Sequence, residues 1–252
     1  MKVNNTLSLF NEKFQEDLDA HCSYNSAGAF RNIYRYSHRL QIQLVSESLT
    51  EELNPEKLLL DAGCWCGPYS ILFSDKAKVV GIDSSTTSIR RAKSWRNKNG
   101  KHSKIDFIVA DINSLPFKSE SFDAVICLEV LEHLQKIALV LKELDRVAKR
   151  KAIGIISMPN SLSLYYIFQR LFQIGASKSE NSHFNHNFKE IKNIISTTGF
   201  EVLFKKSSLI IPIAIPLWFH NRGVRLMRFI ERKLNKTPFQ NLGAHIFIKF
   251  RY

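Results

Sequence analysis

A glycine-punctuated turn between an apolar run and a helical pattern constrains this chain more than any other feature. The segment from Lys57 to Phe73 reads KLLLDAGCWCGPYSILF, in which the apolar run ends at Asp61 and apolar residues recur at helical spacing after the turn. Glycine lets the backbone adopt positive φ and approach a ligand closely, and a helix start offers unpaired N–H groups. Strand, tight turn and helix in this order open a nucleotide-binding α/β unit.

Acidic residues recur where the predicted strands end. Asp83 closes a β-rich run roughly twenty residues after the turn, at the place where a carboxylate can accept both hydroxyls of a ribose. Asp111 follows the third predicted strand and Glu129 follows the fourth. Because ligands of doubly wound sheets bind at the carboxyl ends of strands, we expect these acids and Asp61 to converge at one edge. The alternative for Asp83 is a surface aspartate that caps the next helix.

Two cofactor classes compete for the turn. A dinucleotide site requires GxGxxG with its pyrophosphate on the helix N-terminus, but the turn runs from Gly63 to Gly67 as GCWCG and lacks the third glycine. A nicotinamide-dependent oxidoreductase is therefore the alternative rather than the first hypothesis. A third hypothesis is a binding module that kept the fold and lost the cofactor, because Trp65 stands at the middle position of the turn.

The motifs from Leu58 to Pro159 resemble, in order and spacing, those of the class I (Rossmann-like) S-adenosylmethionine-dependent methyltransferases, the type that includes the ubiquinone and menaquinone biosynthesis enzymes. The turn is similar to the (D/E)xGxGxG motif of that family, with Trp65 in place of the middle glycine. An LPF segment, an FD pair that opens the fourth strand and an EVLEHL segment that closes it follow in the order of the family; they begin at Leu115, Phe122 and Glu129.

The resemblance implies a fold, a cofactor and a set of binding residues. The fold is a doubly wound, seven-stranded, mostly parallel sheet with N-terminal helices and a late insertion before the last strand. The cofactor is S-adenosylmethionine, and the reaction moves its methyl group to a small-molecule or lipid-linked acceptor. The implied cofactor-binding residues are Asp61, Ala62, Gly63, Cys64, Gly67, Asp83, Ser84, Asp111, Ile112, Leu128 and Glu129. Among these, Asp111 and Ile112 would hold the adenine, and Leu128 and Glu129 would line the methionine end.

The sequence leaves the catalytic residue unknown. A sulfonium is already a strong electrophile, so alignment and desolvation can supply most of the acceleration. A general base is needed only when the acceptor is a hydroxyl. The leading candidates are His133 and His183, and the resemblance implies that His183 borders the substrate pocket. His38 and His186 are further candidates.

The chain divides into four predicted segments. Residues 1–53 are expected to form two or three helices, and the resemblance implies that they are a lid over the reaction pocket; helices packed on the core are the alternative. Residues 54–207 form the Rossmann-like core. Residues 208–243 are an apolar and basic insertion, and residues 244–252 supply the last strand. Within the core, the pattern predicts a helix from Ile137 to Lys151 and a buried strand from Ala152 to Ser157.

The charge balance indicates an anionic partner. The chain carries 36 basic and 23 acidic residues, for a net charge of +13. Seven basic residues and no acid lie between Ser84 and Ile105, and a basic amphipathic helix follows the apolar part of the insertion. An anionic membrane surface suits both segments. The alternative is a solvated face for the first segment and a helix packed over the sheet edge for the second. Nucleic acid is the less favoured partner, since no (D/N)PP(Y/F) motif follows the fourth strand.

Other features bound the remaining possibilities. The four cysteines show no zinc spacing, so no metal is predicted, and we expect them to be reduced thiols. The N-terminal residues lack the apolar core of a signal peptide, and no run reaches the ~18 apolar residues of a spanning helix. These observations predict a cytoplasmic protein with peripheral membrane association.

Overall fold

The computed structural model describes residues 29–101, 103–160, 200–208 and 242–252, together with single residues and short pieces at 163, 167, 193, 195, 229, 233–234 and 236–238. Its strands are β1 (Leu58–Ala62), β2 (Lys78–Asp83), β3 (Ile105–Val109), β4 (Phe122–Leu128), β5 (Ala148–Pro159), β6 (Glu201–Ser208) and β7 (His245–Arg251). The main helices of the described part are α1 (Ala29–Leu49), α2 (Pro68–Phe73), α3 (Thr86–Lys98) and α4 (Ile137–Val147).

The seven strands form one sheet in the order β3-β2-β1-β4-β5-β7-β6. β1 pairs in parallel with both β2 and β4, and only β7 runs antiparallel to its neighbours β5 and β6. The predicted doubly wound, mostly parallel, seven-stranded sheet is confirmed. The strand order reverses between β1 and β4, because the chain runs outward from β1 to β3 and then returns to the other side of β1. Ligands bind at such a switch point, outside the carboxyl ends of the strands.

Helices cover both faces of the sheet, as its apolar strands require. On one face, α1 buries Val45 and Leu49 completely in a cluster with side chains of α2 and α3. On the other face, α4 buries Leu141 and Leu144. The Lys249 ammonium of β7 donates to the Ser48 carbonyl at 2.8 Å and so ties the end of α1 to the sheet. This packing fixes the loops at the carboxyl edge relative to one another.

The boundary between α4 and β5 differs from the sequence prediction. The helix ends at Val147 rather than Lys151, and β5 begins at Ala148 rather than Ala152. The cause is a large bulge, since Phe122 of β4 pairs with Ala148 whereas Ala124 pairs with Ile153. The residues inside that bulge are charged, and Lys149 among them binds Asp123 at 2.8 Å. In the sequence, such a charged run has the pattern of an exposed helix face.

The predicted lid, insertion and thiols have different outcomes. α1 is the helix described within the predicted lid, and residues 1–28 lie outside the described residues, as does most of the predicted insertion. Ser208 ends β6 instead of opening the insertion.

Cys64 and Cys127 are free and buried, but Cys66 is disulfide-bonded, so the expectation of four reduced thiols is wrong. No helix in the described part of the chain is both long and apolar enough to cross a membrane.

Candidate active site

The glycine turn after β1 is pinned to the end of β2 by backbone hydrogen bonds. The amides of Gly63 and Cys64 both donate to the carbonyl of Ile82, at 2.8 and 2.7 Å. Gly63 and Gly67 adopt φ values of +79° and +83°, which side chains rarely tolerate. A Cβ on Gly63 would lie 2.3 Å from a methyl of Val130, so the segment after β4 packs directly on the turn. The ends of β1, β2 and β4 therefore meet at one place.

A Gly63→Ala variant tests this packing. The new methyl group must displace Val130 and also hold a left-handed conformation, so we expect the free energy of unfolding to fall by about 2 kcal/mol. Gly100→Ala is the matched control, because Gly100 has φ +65° and a Cβ added there would have no atom within 4 Å; in that variant we expect only the backbone cost of about 1 kcal/mol. Urea denaturation measures both, and equal losses would show that the contact with Val130 carries no energy.

Trp65 occupies the middle position of the turn in a left-handed conformation. Its φ is +50°, inside the left-handed region that glycine would occupy. The indole is half-buried and packs against the apolar cluster to which α1 and α2 contribute. Its amide donates to a carboxylate oxygen of Asp83 at 2.9 Å. The bulky residue therefore contributes packing and a hydrogen bond at the position where the family has glycine.

Asp83 stands at the tip of β2 with capacity for further hydrogen bonds. One carboxylate oxygen accepts the Trp65 amide, and the other accepts the Ser85 amide at 2.8 Å. A carboxylate offers about four acceptor positions, so two remain for a ligand. Ser84 is exposed beside it, and the side chain of Ser85, not that of Asp83, caps α3 by accepting the Ser88 amide. Asp83 is therefore half-buried and available to a diol.

Asp111 and Ile112 follow β3 next to this position. The Ala110 amide donates to the Asp83 carbonyl at 3.1 Å, which joins the loop after β3 to the tip of β2. One oxygen of Asp111 accepts the backbone amide and the side-chain amide of Asn113, at 2.9 and 2.8 Å, and these bonds lower the pKa of Asp111. Its other oxygen is not used in this turn. Ile112 is buried and offers an apolar surface next to the carboxylate.

Asp61 lies beneath the glycine turn rather than on its surface. Its carboxyl is buried and accepts the Ser70 hydroxyl at 2.6 Å. Burial raises the pKa of Asp61 to about 7, hydrogen bonds from Ser70 oppose this rise, and the charge of Asp83 adds to it. Ala62 and Cys64 are buried above it. The contacts of Asp61 thus hold α2 against β1.

Glu129 is the centre of a hydrogen-bond network where β4 ends. Its backbone has φ +55°, and its amide donates to the Ser157 hydroxyl oxygen at 3.1 Å. The Ser157 hydroxyl donates in turn to one carboxylate oxygen at 2.7 Å, and Nδ1 of His245 lies 2.7 Å from the other. Burial alone would raise the pKa of Glu129, but His245 and these hydrogen bonds, with His38, hold it below its ordinary value.

Glu132 lies next to this network, in a position that disfavours its ionised form. Its side chain is 7% exposed, and its Oε2 has no hydrogen-bond partner among the described residues. Burial, followed by the negative charge of Glu129, raises the pKa of Glu132 to about 8. His133 is half-exposed, and its Nε2 lies 3.9 Å from Glu132. Two carboxyl groups thus share one edge of the sheet, one ionised and one neutral at pH 7.

Comparison with known proteins indicates what kind of domain carries this site. The family profile described as methyltransferase domain matches residues 60–156, which carry the glycine turn and the acids after β2, β3 and β4. Residues 60–156 therefore form a methyltransferase domain. The predicted family, enzyme class and cofactor are confirmed.

Named relatives resemble this methyltransferase along most of its length. The ubiquinone biosynthesis O-methyltransferase of Rickettsia prowazekii (strain Madrid E) is 29% identical over 234 residues, which cover 89% of this chain and 90% of that protein. The 24-methylenesterol C-methyltransferase 2 of Oryza sativa subsp. japonica is 28% identical over 198 residues, which cover 72% of this chain and 52% of that protein. The crystal structure of magnesium protoporphyrin IX methyltransferase from Synechocystis PCC 6803 with bound SAH has the same fold, with a TM-score of 0.63 at 19% identity over 97% of this chain and 96% of that one.

The predicted cofactor residues lie at one edge of the sheet, but they differ in solvent exposure. Asp83, Ser84 and Asp111 reach the surface of that edge, and Glu129 is partly buried where β4 ends. The other predicted residues are buried or lie at the turn. Of the predicted histidines, His183 and His186 lie outside the described residues, and the ring of His38 stacks on Tyr69 at 6.3 Å. No group of three potential ligands arranged to hold a metal ion occurs among the residues that the structure describes.

Sequence reasoning misses His245 and Ser157. The pattern places Ser157 in the fifth strand and His245 in the last strand, but it indicates no role for either residue. The signal that could reveal them is topological: a last strand that runs antiparallel places its first residue, here His245, at the carboxyl edge of the sheet. Nothing local to His245 in the sequence indicates that Glu129 lies beside it.

Proposed function

We propose that this methyltransferase transfers the methyl group of S-adenosylmethionine to a hydroxyl of a small or lipid-linked acceptor. The methyl donor follows from the family, and the observation that supports the hydroxyl is the similarity to a ubiquinone biosynthesis O-methyltransferase over 89% of the chain. A sterol C-methyltransferase among the relatives supports an acceptor with a large apolar part.

The described residues fit the donor by their chemistry. The Asp83 side chain has unused acceptor positions, which suit the two hydroxyls of the ribose. Asp111 offers an acceptor for the adenine amine, and Ile112 offers an apolar surface for the ring. The backbone at Leu128 and Glu129 lines the methionine end, while the Glu129 carboxylate is engaged by Ser157 and His245. Bound in this way, the donor supplies an electrophilic methyl group on a sulfonium.

Calorimetry and a transfer assay together test the proposal. Titration of the purified protein with S-adenosylhomocysteine should give heat with a one-to-one stoichiometry. Radiolabelled methyl groups should then pass to catechols that carry an alkyl chain, and mass spectrometry of the product should place the methyl on oxygen. Binding of the donor without transfer to any hydroxyl acceptor would remove the acceptor assignment and leave the donor intact. Transfer to carbon alone would replace it with the sterol-like chemistry.

We propose further that an anionic membrane surface delivers the acceptor, because one face of α3 is basic and unpaired. Arg90, Arg91 and Lys93 are exposed and have no hydrogen bond or ion pair with any described residue. Other basic residues nearby are engaged: Lys101 pairs with Asp75, and Arg96 donates to the carbonyl of Ile105. Each basic side chain near an anionic bilayer contributes about 1 kcal/mol.

Replacing Arg90, Arg91 and Lys93 by serine should weaken sedimentation with vesicles that contain one-third phosphatidylglycerol by about tenfold or more, because three interactions of about 1 kcal/mol are lost. The matched control replaces Lys136 and Lys142, two exposed lysines at α4, by serine. Vesicles of pure phosphatidylcholine measure binding that is independent of charge. Equal binding of the triple variant and the wild type to the anionic vesicles would contradict the proposal.

A further inference from the structure

His245 and Glu129 form a histidine–carboxylate pair of the kind in which the carboxylate orients a general base. Nδ1 of His245 lies 2.7 Å from a carboxylate oxygen of Glu129, and the two side chains are 16% and 27% exposed. The other oxygen of Glu129 accepts the Ser157 hydroxyl, so the carboxylate cannot turn away from the ring. When a carboxylate accepts the Nδ1 proton of an imidazole, the neutral ring is fixed in the tautomer whose Nε2 accepts a proton.

The position of His245 suits a group that acts on the acceptor. It opens β7, where it pairs with Pro159 at the end of β5 and with Ser208 at the end of β6. All three positions lie at the carboxyl edge, where ligands of such sheets bind. Nε2 of His245 has no hydrogen-bond partner within the described part of the chain. Glu129 holds its position with φ +55°, and strained backbone of this kind is concentrated at functional sites.

We propose that His245 is the general base that removes the proton from the acceptor hydroxyl, and that Glu129 is its positioning residue. This inference rests on the proposed hydroxyl acceptor. In the step, the O–H bond breaks and its proton passes to Nε2 of His245. The oxygen bonds to the methyl carbon while the C–S bond breaks, and the electron pair of that bond stays on sulfur. The imidazolium then releases the proton to water.

The titratable groups around the pair affect the charge of Glu129. Among the described residues, Glu132 and His38 are the other titratable groups close enough to act on Glu129, and His133 lies beyond Glu132. Because burial and the charge of Glu129 raise the pKa of Glu132 to about 8, Glu132 is neutral at pH 7 and places no second negative charge beside the pair. The Glu129 carboxylate then has the His245 ring, 2.7 Å away, as its nearest titratable neighbour.

Acceptors of different acidity give the sharpest test. General base catalysis contributes roughly 10²–10⁴-fold, so His245→Ala should lower kcat about 10²-fold or more with an alkylcatechol. With 4-nitrocatechol, which is already ionised at neutral pH, the same variant should lose less than about tenfold, because no proton has to be removed. Imidazole added to the buffer should restore part of the activity of His245→Ala and leave the wild type unchanged. Heat of S-adenosylhomocysteine binding should be the same for both proteins, which separates the base from donor binding and from folding.

Glu129→Gln and a spectrum complete the test. Glu129→Gln should lower kcat with the alkylcatechol and gain nothing from imidazole, whereas Glu129→Asp should restore part of the loss. Below the pH at which free 4-nitrocatechol ionises, the wild type should bind it in the ionised, visibly coloured form, and His245→Ala should bind it uncoloured. Equal losses with both acceptors, or a neutral nitrocatechol bound to the wild type, would overturn the role of His245. A wild type that binds no catechol would overturn it together with the acceptor class, while an intact heat of donor binding would still support the methyltransferase.

Discussion

An Asp83→Ala variant is expected to bind S-adenosylhomocysteine at least about 100-fold more weakly than the wild type. Hydrogen bonds to a charged group contribute about 1.5–3 kcal/mol each, and the two ribose hydroxyls would lose two of them. The Asp83 carboxylate is the described group at the tip of β2 with acceptor positions left over. Isothermal titration calorimetry measures the affinity directly, without knowledge of the acceptor.

Two further variants separate ligand binding from the structure of the turn. Asp83 also accepts the amides of Trp65 and Ser85, so its removal leaves two backbone donors without their partner. Asp83→Asn removes the charge and keeps one oxygen, which can accept one of the two amides. We expect its melting temperature to lie between those of Asp83→Ala and the wild type while its affinity stays low. Asp106→Ala removes an exposed acid from β3 and should change neither quantity. Wild-type affinity in Asp83→Ala would contradict the ribose assignment.

Much of the fold could be predicted because its signals are local and periodic. β1, the glycine turn and α2 are adjacent in sequence, and the motifs that end β2, β3 and β4 follow in the order that the sheet topology requires. The start of β5 could not be predicted in the same way. Its bulge depends on how Phe122 and Ala124 pair with a strand that lies more than twenty residues away, and a charged run there suits a helix equally well.

The position of a residue that directly follows one strand pattern could be predicted, whereas a contact between two distant residues could not. Asp83 lies at the tip of β2, as expected from the β-rich run before it, and its role toward a ribose stays a prediction. The contact between Glu129 and His245 joins residues 116 positions apart, and only the antiparallel course of β7 brings them together. The effect of Trp65 was equally hidden, because φ +50° is a property of the folded turn and not of tryptophan.

Replacing Glu132 by glutamine is expected to stabilise the protein by about 3 kcal/mol at pH 7. Burial and the charge of Glu129 raise the pKa of Glu132 from an ordinary 4.5 to about 8. Between these two values the unfolded chain releases the proton and the folded protein keeps it. The Glu132 carboxyl therefore does not reduce the free energy of unfolding below about pH 4.5. Between about pH 4.5 and pH 8 it reduces that free energy by about 1.4 kcal/mol per pH unit, and above about pH 8 the reduction stays constant. Glutamine does not ionise, so it avoids this loss and fits the same space.

Urea denaturation of both proteins at pH 5 and pH 7 measures the effect. The gain should shrink to less than about 1 kcal/mol at pH 5, where the unfolded chain also holds much of the proton. Glu143→Gln is the control of opposite sign, because Glu143 binds Arg146 at 2.6 Å and this hydrogen bond lowers its pKa. That variant should be no more stable than the wild type at pH 7. A gain for Glu132→Gln of the same size at both pH values would show that improved packing is responsible, and a loss at pH 7 would show that Glu132 is ionised and paired in the folded protein.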